Sequence, residues 1–266
     1  MDRENWHARR ISEPQISWRE ERLEEEPSFF STSCLEIRGD QRSVVEVDVA
    51  VEQTISIYLD GQIAGRVPAI PAELKELAVG FLVGDGLVGS IEQVAEARSD
   101  RDRVLCKTRS MPNVARGQDD RPGHILRRVI SEARISSASL LDAVDQLNQR
   151  ARLWRRTGAA HAAMVCDMNG GVLVFCEDVS RSSAMDKALG SALLRGLELA
   201  ECALVTSGRL SESMVKKSAR AGVPILASKS APIAGGVNLA REIDMTLVGF
   251  ARRPNVYVYS GVRRVI

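Results

Sequence analysis

The chain reads as an α/β protein, with a layered C-terminal domain built on a mixed sheet and a smaller α+β domain before it. Three observations carry that expectation. Short apolar segments at 203–206, 223–227 and 245–250 alternate with helical stretches at 211–221 and 232–243, the grammar of parallel strands joined by helical crossovers. Segments 161–166 and 172–176 flank Asn169-Gly170-Gly171, a hairpin turn signal. Upstream, 44–51 and 55–59 alternate apolar with polar residues and end at Asp60-Gly61, which indicates antiparallel strands.

Taken in chain order, residues 1–43 are dense in charge without a sustained period and read as a mobile extension. The first domain follows over 44–139. Pro71 opens a helix whose Leu74, Leu77, Ala78, Phe81 and Leu82 fall on one face, and Gly84-Asp85-Gly86 ends it. Residues 98–123 are polar and broken by Pro112, Pro122 and Gly123, so a long exposed loop is expected there. A helix over about 140–156 links the domains. The second domain spans 157–266, where Met185, Leu189, Leu193 and Leu197 trace one helix face and Gly222 closes the helix before Val223.

Composition limits the function classes. The 266 residues are 44% hydrophobic and 27% charged with a net charge of +1, ordinary globular values that give no general reason to expect nucleic-acid or membrane binding. With no apolar run of about 18 residues and a polar start, the protein is expected to be cytoplasmic. Five scattered cysteines without a C-x-x-C pair argue against structural zinc or a redox pair. No metal is expected.

In an open α/β sheet, ligands bind beyond the carboxyl ends of the strands, at helix N-termini. Three polar clusters fall there: Ser207-Gly208-Arg209, Ser228-Lys229-Ser230, and Phe250-Ala251-Arg252-Arg253. Together they offer hydroxyls and at least three cations to a phosphorylated ligand. Asp178 ends the hairpin, with Arg181 and then Asp186-Lys187 beyond it; either Asp178 meets a ribose or guanine edge, or it caps the helix while Arg181 pairs with Asp186. His161, after a glycine turn, is the one histidine of this domain.

Five segments occur here in a fixed order: T-G-A-A-H at 157–161, E-D-V-S-R-S-S-A-M-D-K at 177–187, S-G-R-L-S-E-S at 207–213, G-V-P-I-L-A-S-K-S-A-P at 222–232 and T-L-V-G-F-A-R at 246–252. In this the chain resembles the FdhD/NarQ family of formate dehydrogenase accessory proteins, with weaker likeness back to about residue 44. The resemblance implies a cytidine deaminase-like fold, a homodimer, and transfer of persulfide sulfur from a cysteine desulfurase to molybdenum bis(molybdopterin guanine dinucleotide), destined for apo formate dehydrogenase. Under it, GDP should mimic the cargo. The cofactor-binding stretch near the last strand falls on Phe250, Ala251, Arg252, Arg253, Pro254 and Asn255. The family set is then completed by His161, Asp178, Arg181, Asp186, Lys187, Ser207, Gly208, Arg209, Ser228 and Lys229.

Two departures stand out. The family's C-G-x-C-G sulfur carrier is missing, since 127–138 hold no cysteine where it should lie. The nearest thiol is Cys106, beside Lys107 and Arg109, cations that would lower its pKa. Ser180 replaces a family glycine, and Ser182-Ser183 replace His-Asn, removing groups able to meet a base or sugar. The alternative to a sulfur carrier is therefore a non-catalytic paralogue that chaperones cofactor or acts as a scaffold. A zinc nucleoside deaminase is disfavoured, because its H-x-E and P-C-x-x-C elements do not occur.

Overall fold

The computed structural model describes residues 27–109 and 126–266. The chain starts with a hairpin, β1 (Phe29–Arg38) and β2 (Gln41–Ala50), then β3 (Gln53–Leu59), β4 (Gln62–Ala69), helix α1 (Leu74–Gly84), β5 (Val94–Asp100) and β6 (Arg103–Thr108). Helices α2 (Ser137–Arg150) and α3 (Arg152–Thr157) follow. The rest comprises β7 (His161–Cys166), β8 (Val172–Asp178), α4 (Arg181–Leu194), β9 (Ala203–Thr206), α5 (Glu212–Arg220), β10 (Ile225–Ser228), α6 (Ala234–Glu242), β11 (Thr246–Arg252) and β12 (Asn255–Ser260).

Six strands form the large sheet in the order β12-β11-β10-β9-β7-β8, and four form the smaller one as β4-β3-β6-β5. The expected α/β class and mixed sheet are both present. β9, β10 and β11 run parallel, while β7 and β8 pair antiparallel around the glycine turn, at which Gly170 takes φ 81°. One face of the large sheet is covered by Leu140, Val144 and Leu147 of α2. The other face shares a single apolar core with α4, α5, α6, α1 and the small sheet, through Met185, Leu189, Met214, Leu77, Leu82, Ile55 and Val104.

Five expectations change. Residues 29–43 are not an extension: they form most of the β1–β2 hairpin, so β2 pairs with β1 rather than with β3. The Asp60-Gly61 turn joins β3 to β4 instead. Residues 94–108 form the β5–β6 hairpin, not loop, while the part of the expected loop at 110–123 lies outside the described residues. The linking helix breaks at Ala151 (φ −65°, ψ 73°) into α2 and α3. Leu197 falls beyond α4.

Helices α1 and α4 meet at backbone distance. A Cβ on Gly80 would lie 1.8 Å from the Asp186 carbonyl oxygen, and one on Gly190 would lie 1.9 Å from that of Glu76. No side-chain adjustment relieves a clash with backbone, so Gly190→Ala must push the helices apart. Overpacking of that kind costs about 1–3 kcal/mol. Urea unfolding of Gly190→Ala should show a midpoint reduced accordingly, whereas Gly222→Ala, with open space around its Cβ but φ 89°, should lose about 1 kcal/mol from backbone strain alone.

Candidate functional site

Where β9 and β10 end and β7 begins, a cavity of about 420 Å³ opens between the large sheet and the α2–α3 junction. Three predicted residues line it: Ser207 after β9 and Lys229 after β10, as the strand-end rule expects, and His161 from the start of β7, which runs antiparallel to β9. The helix junction supplies the opposite wall with Asn148, Ala151 and Trp154, and Val179 closes it beyond β8.

The polar groups of the cavity are held by one another. The Ala162 N–H donates to Ser207 Oγ at 2.9 Å, and His161 Nδ1 lies 3.2 Å from the same oxygen. With its oxygen already accepting from the backbone, the Ser207 hydroxyl has its proton to give to Nδ1 of a neutral imidazole. Burial lowers the pKa of His161, helped by the positive charges of Arg181 and Lys229. Lys229 Nζ donates to Asn148 Oδ1 at 2.7 Å and sits 5.5 Å from the centre of the Trp154 ring. Its own pKa is lowered, first by burial and then by Arg252. Trp154 is 49% exposed, leaving much of its surface open to a flat ring. The cavity thus offers a cation, hydroxyl and imidazole groups, and an aromatic surface.

Other predicted residues frame the site. Ser228 is buried and donates to the Gly208 carbonyl at 2.7 Å. Arg181 packs where a Cβ on Gly208 would fall, and Arg209 is exposed beyond it. Arg252 Nε donates to the Lys229 carbonyl at 2.9 Å, tying the end of β11 to the lysine loop. Arg253 pairs with Asp142 and Asp145 of α2. Phe250 is partly exposed against Tyr257, Ala251 is buried, Arg253 and Pro254 make the turn, and Asn255 opens β12. The end of β11 and the turn after it therefore brace the cavity from outside.

Asp178, Asp186 and Lys187 take a different part from that expected. All three are fully buried. Asp178 pairs with Lys187 at 2.7 Å and accepts the Ile70 and Ser180 N–H groups, while Lys187 donates to the Ile70 carbonyl. Asp186 pairs with Lys217, not with Arg181, and Lys217 also reaches Asp85 at 2.8 Å. Asp178 does not cap α4 either: Ser180 does, accepting from Ser183 N–H at 3.4 Å. Ser183 Oγ in turn donates to the Pro68 carbonyl at 2.7 Å. Two of the three serines that depart from the family pattern are thus spent on packing.

A model of the FdhD/NarQ family matches residues 50–266. The chain belongs to this family. It is 31% identical over 237 residues to the sulfur carrier protein FdhD of Methanothermobacter thermautotrophicus, a match covering 85% of this chain and 95% of that one. FdhD of Wolinella succinogenes is 29% identical over 255 residues, covering 88% and 89%. A crystal structure from Desulfotalea psychrophila, assigned as a formate dehydrogenase accessory protein, superposes with a TM-score of 0.79 at 27% identity, over 90% of this chain and all of that one.

Against that family, the thiols are informative. Cys106 is buried, and burial with the nearby Asp60 pushes its thiol up to about 12. The expected help from Lys107 fails because alternate strand residues face opposite ways, and Lys107 pairs outside with Glu96. Cys166 and Cys202 are also buried and pushed up to about 12, and Cys176 is raised further by burial and Glu73. Of the five cysteines only Cys34, on β1, is exposed.

Sequence reasoning missed Asn148 and Trp154, although an aromatic residue inside the basic run Arg152-Leu153-Trp154-Arg155-Arg156 was a usable signal. Two measurements follow. Native protein should consume one equivalent of a thiol reagent, and Cys34→Ser none, until denaturant exposes the other four. By NMR, His161 should titrate below its ordinary 6.5 and move back toward it in Lys229→Met, since removing a cation eases protonation.

Proposed function

We propose that this chain serves formate dehydrogenase maturation by holding the guanine dinucleotide form of the molybdenum cofactor as cargo, with the nucleotide end in the Trp154–Lys229 cavity. The observation that carries this reading is the conjunction of a cation, an aromatic surface and hydroxyl and imidazole groups at the strand ends. A guanine ring stacks on Trp154, a diphosphate meets Lys229, and ribose hydroxyls meet Ser207 and the neutral His161. Arg209 and Arg252 flank it with further positive charge. Apo formate dehydrogenase would be the recipient, and a homodimer the working form.

Sulfur transfer is the separable part. A persulfide carrier attacks as thiolate from an accessible position, and Cys106, Cys166, Cys176 and Cys202 are neither accessible nor ionised near neutral pH. The reading favoured here is a cofactor chaperone, standing beside the sulfur-carrier relatives without their chemistry. The rival is that Cys34 accepts sulfur from a cysteine desulfurase: it is exposed, and its hairpin is tied to α3, the helix that carries Trp154, through Asp48 and Arg156.

Calorimetry should show saturable GDP binding, weakened about tenfold by Trp154→Ala, since a stacked base contributes about 1–3 kcal/mol. Lys229→Met should weaken it at least as much, and Arg209→Ala or Arg252→Ala less. Absence of binding to the parent protein would remove the cargo reading. Intact-mass measurement after incubation with a desulfurase and cysteine should show no added sulfur. Sulfur that appears on the parent and vanishes in Cys34→Ser would restore the carrier.

A further inference from the structure

Helix α3, Arg152–Thr157, is six residues long and has no buried residue. Neither length nor packing therefore holds it, since so short a helix is marginal in water on its own. Nor does it cap itself: Ala151 stands at its N-cap and has no side-chain acceptor to offer. Yet α3 carries Trp154, the aromatic wall of the strand-end cavity, with Lys229 Nζ 5.5 Å from the ring centre.

The missing cap comes from across the fold. Glu177, in β8, accepts the Leu153 N–H on one carboxylate oxygen and the Trp154 N–H on the other, each at 3.0 Å. These are the second and third N–H groups of the helix, the two that a capping side chain serves. Both oxygens are in use, and N–H donors bonded to a carboxylate form the stronger, charge-assisted kind of hydrogen bond. The next residue, Asp178, is locked into the buried pair with Lys187, so the backbone that carries Glu177 is fixed to the core. The remaining ties of α3 lie in solvent: Arg155 Nη1 donates to the Asn148 carbonyl, and Arg156 pairs with Asp48 of the β1–β2 hairpin. Of these ties, the one from Glu177 alone grips Trp154 itself.

We propose that Glu177 is a positioning residue of the cavity: it fixes Trp154 against Lys229 and so sets the spacing between the stacking surface for a flat ring and the cation for its phosphates. Glu177 is not among the residues that line the cavity, so it acts on the ligand without touching it. A wall left free to move would have to be ordered at each encounter, which costs affinity. The consequence for GDP rests on the nucleotide reading above; the hold on Trp154 does not.

The test uses the full chain with the substitutions Trp6→Phe and Trp18→Phe, so that Trp154 is its single tryptophan. Without ligand, Glu177→Gln should lower the fluorescence anisotropy of Trp154 and raise its quenching by acrylamide by about half, because the amide keeps one acceptor and turns a donor toward the other helix N–H. Glu177→Asp, with both oxygens on a shorter arm, should fall between. With GDP as probe, Glu177→Gln should weaken binding about tenfold when Trp154 is present and less than about twofold in Trp154→Ala, the non-additivity of two residues that act through one contact. A residue that merely supported the fold would cost the same in both backgrounds. The melting midpoint of each variant is recorded, and Glu177→Asp decides where Glu177→Gln does not fold. Unchanged anisotropy and quenching, or equal GDP losses in both backgrounds, would overturn the assignment. A parent that binds no GDP would remove the nucleotide reading and leave the fluorescence measurements to decide the role of Glu177.

Discussion

The buried ion pair Asp178–Lys187 is the constraint on which the rest of the architecture hangs. Both groups are fully dry, 2.7 Å apart, and the pair is closed by the Ile70 and Ser180 N–H groups and the Ile70 carbonyl. Such a pair need not stabilise a fold relative to apolar packing, but removing one partner strands the other at about 3–5 kcal/mol. It therefore acts as a registry device. Ile70 follows β4, Asp178 ends β8 and Lys187 lies in α4, so one cluster sets the small sheet, the hairpin and the central helix in a single arrangement. Asp186, Lys217 and Asp85 repeat the device one step along, joining α4 to α5 and to the end of α1. Between these clusters Gly80 and Gly190 let α1 and α4 touch at backbone distance. A slip of either helix would break charges and glycine contacts together.

That clasp also explains how much was legible in the sequence. Periodicity and turn chemistry are local, so the 161–178 hairpin, the α1 face and the β9–β11 parallel strands could be read from residues near one another. The strand-end rule likewise took Ser207 and Lys229 to one rim, whereas His161 reaches that rim because β7 runs antiparallel to β9. What could not be read was partnership. Asp178, Asp186 and Lys187 look like ligand contacts because buried charge is uncommon, and their partners Ile70, Lys217 and Asp85 are distant in sequence. The same limit hid the pairing of β2, whose alternation fits β3 as well as β1, and the break at Ala151, which turns Trp154 toward the cavity.

The departures from the family pattern take on a physical meaning in this frame. Ser180 caps α4 and Ser183 anchors it to Pro68, so those substitutions sit on the scaffold side of the E-D-V-S-R-S-S-A segment rather than on its cavity side. Segment 127–138, where the sulfur-carrying cysteines would stand, is likewise taken up by structure: Val129 and Ser131 accept from the buried Arg264 guanidinium, and Ile135 pairs with Val265. A stretch so held has exchanged mobility for packing. A cysteine there would no longer swing, and the loss of the thiol and the loss of the motion are consistent with each other.

The polarity of the parallel strands gives the molecule two chemically different ends. Strands β9 and β10 run together, so the loops after them start helices and those before them finish helices. Helix starts favour anions and helix ends favour cations. The rim carrying Lys229, Arg209 and Arg252 compounds the first tendency; at the other rim the helices finish on cations, Arg195 at the end of α4 and Lys217 and Arg220 in the last turn of α5, beside Glu92 and Glu198. Arg220, in the last turn of α5, illustrates that second tendency: its Nη1 donates to the Gly84 carbonyl and so finishes α1 as well.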